Sequence, residues 1–473
     1  MNESTAAPAR PLRQVMDVLR YMLTYKGWHM AFIAFVCIVF AFGSSVTTMP
    51  LIYGPAMDEF GWTRTEATLM FTYQNVASAV VAIFLIGPLL ERYDIKPVMV
   101  VSSVVTGLGM ASFLLIDSLW TYYLAGVLIG LGTATVLIVV KVFVARWFIR
   151  NVGLAIGLSV VGTSVGGVVF PMIAEALIAA HGWRVAFAAL SLGIWFVVLP
   201  LYIFFANDRP TEEQIVPEAG QTRGQDGRYE APTGELARRI KAAEFDVSYR
   251  ELLCSPMFWM IVGAVFCTAF ADAGMFQHTM LLLEREIGFD SRVAAASISA
   301  TFALGIIAKV LAGRIFDKYS IRGIKYWYVF LGVSILLVFP LQGIFMLVLF
   351  TLARGLAHGG LVSSDTAVLA KHVYGPHLVG RVLAILTGTY AIGAGLGPAA
   401  LSMVYDSTGS YFYGFVGFVI LCTIAVVLMH GVRPHYRERL VAIIGDGAVP
   451  PGAPPAAPVA GGAAPVGSGP NAK

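Results

Sequence analysis

Charge is what this chain lacks most. Asp, Glu, Lys and Arg make up 13% of the residues while 58% are hydrophobic, against roughly 25% charged in an ordinary soluble domain. A water-soluble core cannot absorb that excess, which points to a dozen or so membrane-spanning helices of about 20 residues each. Cysteine is also scarce. Cys37, Cys254, Cys267 and Cys422 lie scattered in or beside apolar runs with no CxxC spacing, so neither a disulfide framework nor a thiolate metal site is expected. No HExxH, Walker loop or other ligand spacing occurs, which leaves no expected metal or cofactor and no ATP site. The formal net charge is only +4, too small to imply a nucleic acid partner. No small-residue cleavage site follows the first apolar run, so that run is read as an uncleaved span rather than a signal peptide.

What is present is a regular series of apolar segments. Spans are expected near 30–53, 67–90, 97–116, 119–145, 152–180 and 184–206, then near 256–283, 292–317, 323–341, 343–372, 378–404 and 411–431. They divide the chain into a polar N-terminal segment (1–29), a six-helix bundle (30–206), a polar linker (207–255), a second six-helix bundle (256–431) and a Pro/Ala/Gly-rich tail (432–473) that should be disordered. Of the 32 Lys and Arg, Arg64, Arg184, Arg285 and Arg292 fall in loops on one side, and Lys141, Lys309 and Arg354 fall inside spans. The others lie on the opposite side, which by the positive-inside rule puts both termini and the linker in the cytoplasm.

The two sets of six repeat each other. Gly87, Glu91, Arg92, Tyr93, Ile95 and Lys96 follow the second span as Gly313, Asp317, Lys318, Tyr319, Ile321 and Arg322 follow the eighth, at one offset. Gly153 stands before Pro171 as Gly380 stands before Pro398, with the same spacing. The chain therefore reads as a duplicated six-helix unit, an architecture that places a central path between facing halves. Small-xxx-small pairs such as Gly126 with Gly130, Gly153 with Gly157 and Gly162 with Gly166 suit close helix packing. Gly162-Thr-Ser164-Val-Gly166 also matches G-x-S-x-G, but inside a continuous apolar helix it has no strand-to-helix elbow, so no enzyme is expected.

The loop Gly87, Glu91, Arg92 and Lys96 resembles the signature of the major facilitator superfamily, with Asp94 where a second glycine is usual. Within it, Trp147-Phe148-Ile-Arg150 through Leu154-Ala155-Ile-Gly157, together with Gly27-Trp28, Gly397-Pro398 and Asp406 through Tyr411, is similar to the monocarboxylate transporter and oxalate/formate antiporter branch. The resemblance implies an all-α fold of twelve transmembrane helices in two pseudo-symmetric bundles, transport by alternating access, and no enzymatic activity. It also implies that Glu91, Arg92, Lys96, Asp317, Lys318 and Arg322 help hold an inner gate. The alternative for those six is plain topogenic charge.

A charge at a helix centre costs about 2.5–3.5 kcal/mol on insertion scales, so one that persists there is a candidate functional group. Arg354 lies near the middle of the tenth span, with His358, a further substrate-binding candidate, and Asp365 on the same face. It is expected either to bind a carboxylate through its planar fork or to pair with an acid on a neighbouring helix. Lys309 keeps a positive charge where the resembled branch usually has arginine. Lys141 lies close enough to Arg146 to snorkel. Asp272 is the best acid for proton coupling, with His278 nearer the surface, and Thr47, Tyr53, Tyr73, Gln74 and Asn75 could add neutral hydrogen bonds. A path with more bases than acids attracts anions. The expectation is a carrier of a small mono- or dicarboxylate, proton-coupled or exchanging. It should lie in the plasma membrane lipid bilayer and work as a monomer. An exporter of drugs or other amphiphiles in the same superfamily is the alternative.

Overall fold

The computed structural model describes residues 25–86, 89, 92–148, 152–207, 249–374 and 379–434. All regular structure among them is helical. Ten helical stretches are long and apolar enough to cross a membrane: Lys26–Leu51, Arg64–Leu85, Ile95–Leu115, Leu119–Val144, Ala155–His181, Trp183–Phe205, Pro256–Glu286, Ser291–Phe316, Gly343–Leu361 and Val382–Thr408. Two shorter helices, Ile321–Leu336 and Phe412–Leu428, take the ninth and twelfth places. The result is a twelve-helix membrane protein in two six-helix bundles. Their lipid-facing surface carries exposed Leu115, Trp120, Phe196, Phe204 and Phe345, which only an apolar solvent tolerates together.

Local chemistry sets where the helices begin and stop. The second span begins at Arg64, earlier than hydropathy alone indicates, because Thr63 and Glu66 form a capping box: the Thr63 hydroxyl accepts from the Glu66 amide at 3.2 Å and the Glu66 carboxylate accepts from the Thr63 amide at 2.8 Å. The turn before it rests on Gly61 at φ 68°, a conformation that side chains disfavour. The ninth span ends at Leu336, short of its hydropathic limit, because Pro340 has no amide to continue the ladder. The fifth span has one irregular turn at Val161, between Val152–Val160 and Gly162–His181; Val161 keeps helical angles (φ −56°, ψ −24°) and the helix runs on through it, with Thr163 and Ser164 in the turn that follows. A π-type turn over Leu282–Glu286 closes the seventh span and presents Arg285 and Glu286.

The halves meet along two related seams, the second span against the eleventh and the fifth against the eighth. Small residues make both possible. A methyl group on Gly395 would stand 2.9 Å from Asn75 Cβ, and one on Gly167 2.2 Å from the Phe302 ring. Within the halves, Gly126 and Gly130 let the fourth span press on the second, and Gly162 and Gly166 let the fifth press on the first. Gly157 does not belong to that set, since a side chain there would meet open space. In the second half, a methyl on Gly397 would fall 2.0 Å from the Phe270 carbonyl oxygen.

Candidate functional site

The described ion pairs joining the halves lie at the end opposite the termini. Arg64 opens the second span and reaches across to the other half. It donates to Glu286 Oε1 at 2.6 Å and Tyr411 Oη at 2.5 Å, and its guanidinium carbon lies 3.6 Å from the Tyr405 ring centroid. Arg285 pairs with Asp58, and Arg292 lies 3.9 Å from Glu175, which also accepts from Ser291 at 3.0 Å. Further hydrogen bonds extend the seam: Thr65 to the Asp406 carboxylate at 2.6 Å, Thr68 with Ser402 at 2.7 Å, and Tyr53 to Gln277 at 2.8 Å. His278 is enclosed in this network rather than near open surface. Its Nε2 lies 3.0 Å from the Pro398 carbonyl, which only accepts, so Nε2 carries the proton and Nδ1 accepts from the Tyr411 hydroxyl at 2.8 Å. Outside the spans, Glu59 is tied to Arg184 and accepts from Trp183 Nε1 at 2.8 Å. The hydrogen bond from Arg184 holds the Glu59 carboxyl below the usual carboxylate range.

Deeper in the second half, three of the sequence candidates form one cluster. Asp272 on the seventh span is fully enclosed; its Oδ1 accepts from Arg354 Nη2 at 2.8 Å and its Oδ2 from His358 Nδ1 at 2.7 Å. Arg354 is itself buried, and its second amino group reaches Ser334 at 3.3 Å. Arg354 and His358 sit one helical turn apart on the tenth span, so a single acid from the neighbouring helix meets both. Each charge is expensive to bury alone, and breaking such a pair by removing one member costs about 3–5 kcal/mol. The side chain of Asp365, on the same face, lies outside the described residues.

Lys309 is held differently. It projects from the eighth span across the seam to the fifth, where its ammonium donates to Thr163 Oγ1 at 2.7 Å and Ser164 Oγ at 2.8 Å. Both acceptors are neutral, and no carboxylate among the described residues lies within ion-pair distance of it. The two hydroxyls were not among the candidates read from sequence, where they belonged to a packing motif. The approach of Gly359 to Gly305, where an added methyl would stand 2.3 Å from the facing Cα, brings the tenth span against the eighth one turn before Lys309.

The other candidates are spread more widely. Thr47 is buried and donates to the Gly43 carbonyl within its own helix at 2.6 Å. Gln74 is buried, with Nε2 3.4 Å from the Ser45 carbonyl and Oε1 without a partner. Asn75 donates to Phe71 O at 2.9 Å and abuts Gly395 at the seam. Tyr73 instead faces Tyr123 of its own half, ring centroids 4.8 Å apart, and is exposed. Lys141 is exposed on the fourth span. Of the gate set, Arg92 and Arg322 are exposed, Lys96 is half-buried, and Lys318 lies 5.2 Å from the Tyr319 ring centroid. Glu91 and the Asp317 side chain lie outside the described residues.

Residues 31–341 match the family described as Major Facilitator Superfamily. Monocarboxylate transporter 12 of Mus musculus is 26% identical across 68% of this chain and 67% of its own length. The cis,cis-muconate transport protein of Acinetobacter baylyi is 22% identical across 82% of this chain and 90% of its own. Among solved structures, a bacterial homologue of the human lysosomal transporter Spinster, in an inward-facing and occupied conformation, superposes with a TM-score of 0.62 at 15% identity, covering 87% of this chain and 96% of that one. That likeness concerns the fold.

Proposed function

Since this chain belongs to the Major Facilitator Superfamily and is a transporter rather than an enzyme, we propose that it carries a small mono- or dicarboxylate across the plasma membrane by alternating access. The observation that supports this most is Lys309, a cation at the seam between the halves whose described partners are two neutral hydroxyls. An incoming carboxylate offers that ammonium a charged acceptor, so each bond it replaces gains an ionised partner on both sides. Arg354 stands in reserve, because its guanidinium turns to the substrate only when Asp272 gives it up. A proton on Asp272 would do that, which couples substrate to proton; without it the carrier exchanges one anion for another. The two named relatives, a monocarboxylate and a muconate carrier, fit the same substrate class. A carrier of cationic drugs would want an unpaired acid on the path, whereas Asp272 is engaged on both oxygens.

With both termini in the cytoplasm, the end latched by Arg64, Arg285 and Arg292 faces outward. The gate role of Glu91, Arg92, Lys96, Asp317, Lys318 and Arg322 at the opposite end belongs to the same proposal, as does a functional monomer. The test is counterflow and uptake in proteoliposomes with labelled lactate, benzoate, succinate and cis,cis-muconate, with and without a pH gradient. Lys309→Met should weaken binding of the transported acid by about 10- to 100-fold, the loss of one or two charge-assisted hydrogen bonds, and Lys309→Arg should restore part of it. Unchanged affinity in Lys309→Met would remove the anion site from the seam.

A further inference from the structure

We propose that His358 is the proton-carrying residue that connects the substrate path to Asp272, an inference that rests on the proton-coupled form of the reading above. Asp272 has no surface of its own, and its two oxygens are covered by Arg354 and His358. Arg354 cannot give up a proton in a protein, which leaves the imidazole as the covering group able to pass one on. His358 side chain is 12% exposed. Its Nδ1 is committed to Asp272 Oδ2, while its Nε2 has no hydrogen-bond partner among the described residues and is not sealed away from solvent. The ring is held in that orientation by aromatic neighbours: it stacks on Phe276 at 5.1 Å and 8°, and meets Phe302 edge-on at 5.6 Å and 87°. Phe302 is two helical turns before Lys309 on the eighth span, so the ring packs against the same helix that carries the ammonium. The ionisable groups of this cluster are Asp272 on the seventh span and Arg354 on the tenth, with Cys267 on the seventh and Cys422 on the twelfth beside that pair.

The relay balances with one proton. With Asp272 ionised, both of its oxygens accept, so neutral His358 carries its hydrogen on Nδ1 and a lone pair on Nε2. A proton from the path binds Nε2, and the Nδ1 hydrogen passes to Asp272 Oδ2. This leaves a neutral carboxylic acid and a neutral imidazole now protonated at Nε2. The acid no longer neutralises Arg354, whose fork becomes available to a carboxylate. One proton thus prepares one anion-binding guanidinium, and release of the anion returns the proton by the reverse route.

The test uses the full-length protein in proteoliposomes and whichever of the four labelled acids gives the largest counterflow. His358→Gln keeps an N–H donor for Asp272 but cannot carry a proton. Accumulation driven by a pH gradient should fall at least 10-fold, and counterflow at equal pH, which rises on acidification in the wild type as more carriers hold a freed Arg354, should lose that rise. Gradient-driven accumulation at the wild-type level, or counterflow that still rises on acidification as in the wild type, overturns the relay. If wild-type protein itself ignores the gradient, the proton-coupled reading and the relay fall together. Should His358→Gln not assemble, Phe276→Leu removes the stacking ring and no polar atom. It should blunt the rise of counterflow on acidification, and an unchanged rise overturns the proposal.

Discussion

Removing Arg64 should open the end of the protein that faces away from the termini. In Arg64→Ala the seam loses a charged hydrogen bond to Glu286 at 2.6 Å, another to Tyr411 at 2.5 Å, and the stacking of the guanidinium on Tyr405 at 3.6 Å. Hydrogen bonds involving a charged group are worth about 1.5–3 kcal/mol, and a partly desolvated cation–π contact about 1–2 kcal/mol. Glu286 is not stranded, however, since its side chain is 30% exposed and it keeps the Tyr405 hydroxyl at 2.8 Å. The cost of taking the Arg64 charge out of water in the closed state offsets more than half of that sum, leaving a net loss of about 2–3 kcal/mol, which shifts the closed-to-open equilibrium roughly 30- to 150-fold. Thr68→Cys reports that equilibrium, because Thr68 is fully buried at this seam against Ser402. Of the native cysteines, Cys37, Cys267 and Cys422 are buried and only the exposed Cys254 needs replacing. Labelling by a membrane-impermeant maleimide should accelerate by about that factor when Arg64→Ala is added. A change of less than about threefold would refute the latch, because it would mean the halves separate here without breaking these bonds.

Gly397→Ala should lower the melting temperature in detergent by an amount equivalent to about 1–3 kcal/mol, since its methyl would fall 2.0 Å from the Phe270 carbonyl, whereas Gly157→Ala, which meets nothing within 4 Å, should be neutral or slightly stabilising. Asp272→Asn should destabilise by about 3–5 kcal/mol through the stranded Arg354, and adding Arg354→Met should recover much of the loss in thermal unfolding even as transport stays low. Glu59 has a folded-state pKa below its unfolded one, so its tie to Arg184 stabilises the protein above the ordinary carboxylate range and fades as pH falls through the lowered value. The difference in melting temperature between wild type and Glu59→Gln should accordingly be level at neutral pH and shrink in acid. A difference that grows in acid would reverse the assignment.

The positions of the spans were legible because each is set by its own stretch of sequence, through apolar length, a cap or a proline. The duplication was legible for the same reason, since it compares one local string with another. Contacts between distant helices were only partly so. Arg354, His358 and Asp272 each stood out as ionisable groups in apolar surroundings, and an acid partner for Arg354 was one of the two readings its position allowed; nothing in the spacing chose Asp272, because helix order does not fix which faces meet. The latch was the least visible. Arg64 and Arg285 read as loop charges and Glu286 was not singled out; the π-type turn at Leu282–Glu286 and the capping box at Thr63 aim them across the seam. Thr163 and Ser164 were hidden by their glycine neighbours, whose packing role is genuine but occupies a different face. Tyr73, grouped with Gln74 and Asn75 by adjacency, turns the other way because successive helical residues point about 100° apart.

The ammonium of Lys309 also acts as a strut. While no cargo is present, it ties the eighth span to the fifth through Thr163 and Ser164, and those ties must break before the two halves can rock past each other. On the proposed reading, cargo that captures the ammonium would loosen the machine at the moment it loads it, which would make the empty carrier the sluggish form and the return stroke the slow step. Supplying the acid on the receiving side should then hasten release from the other.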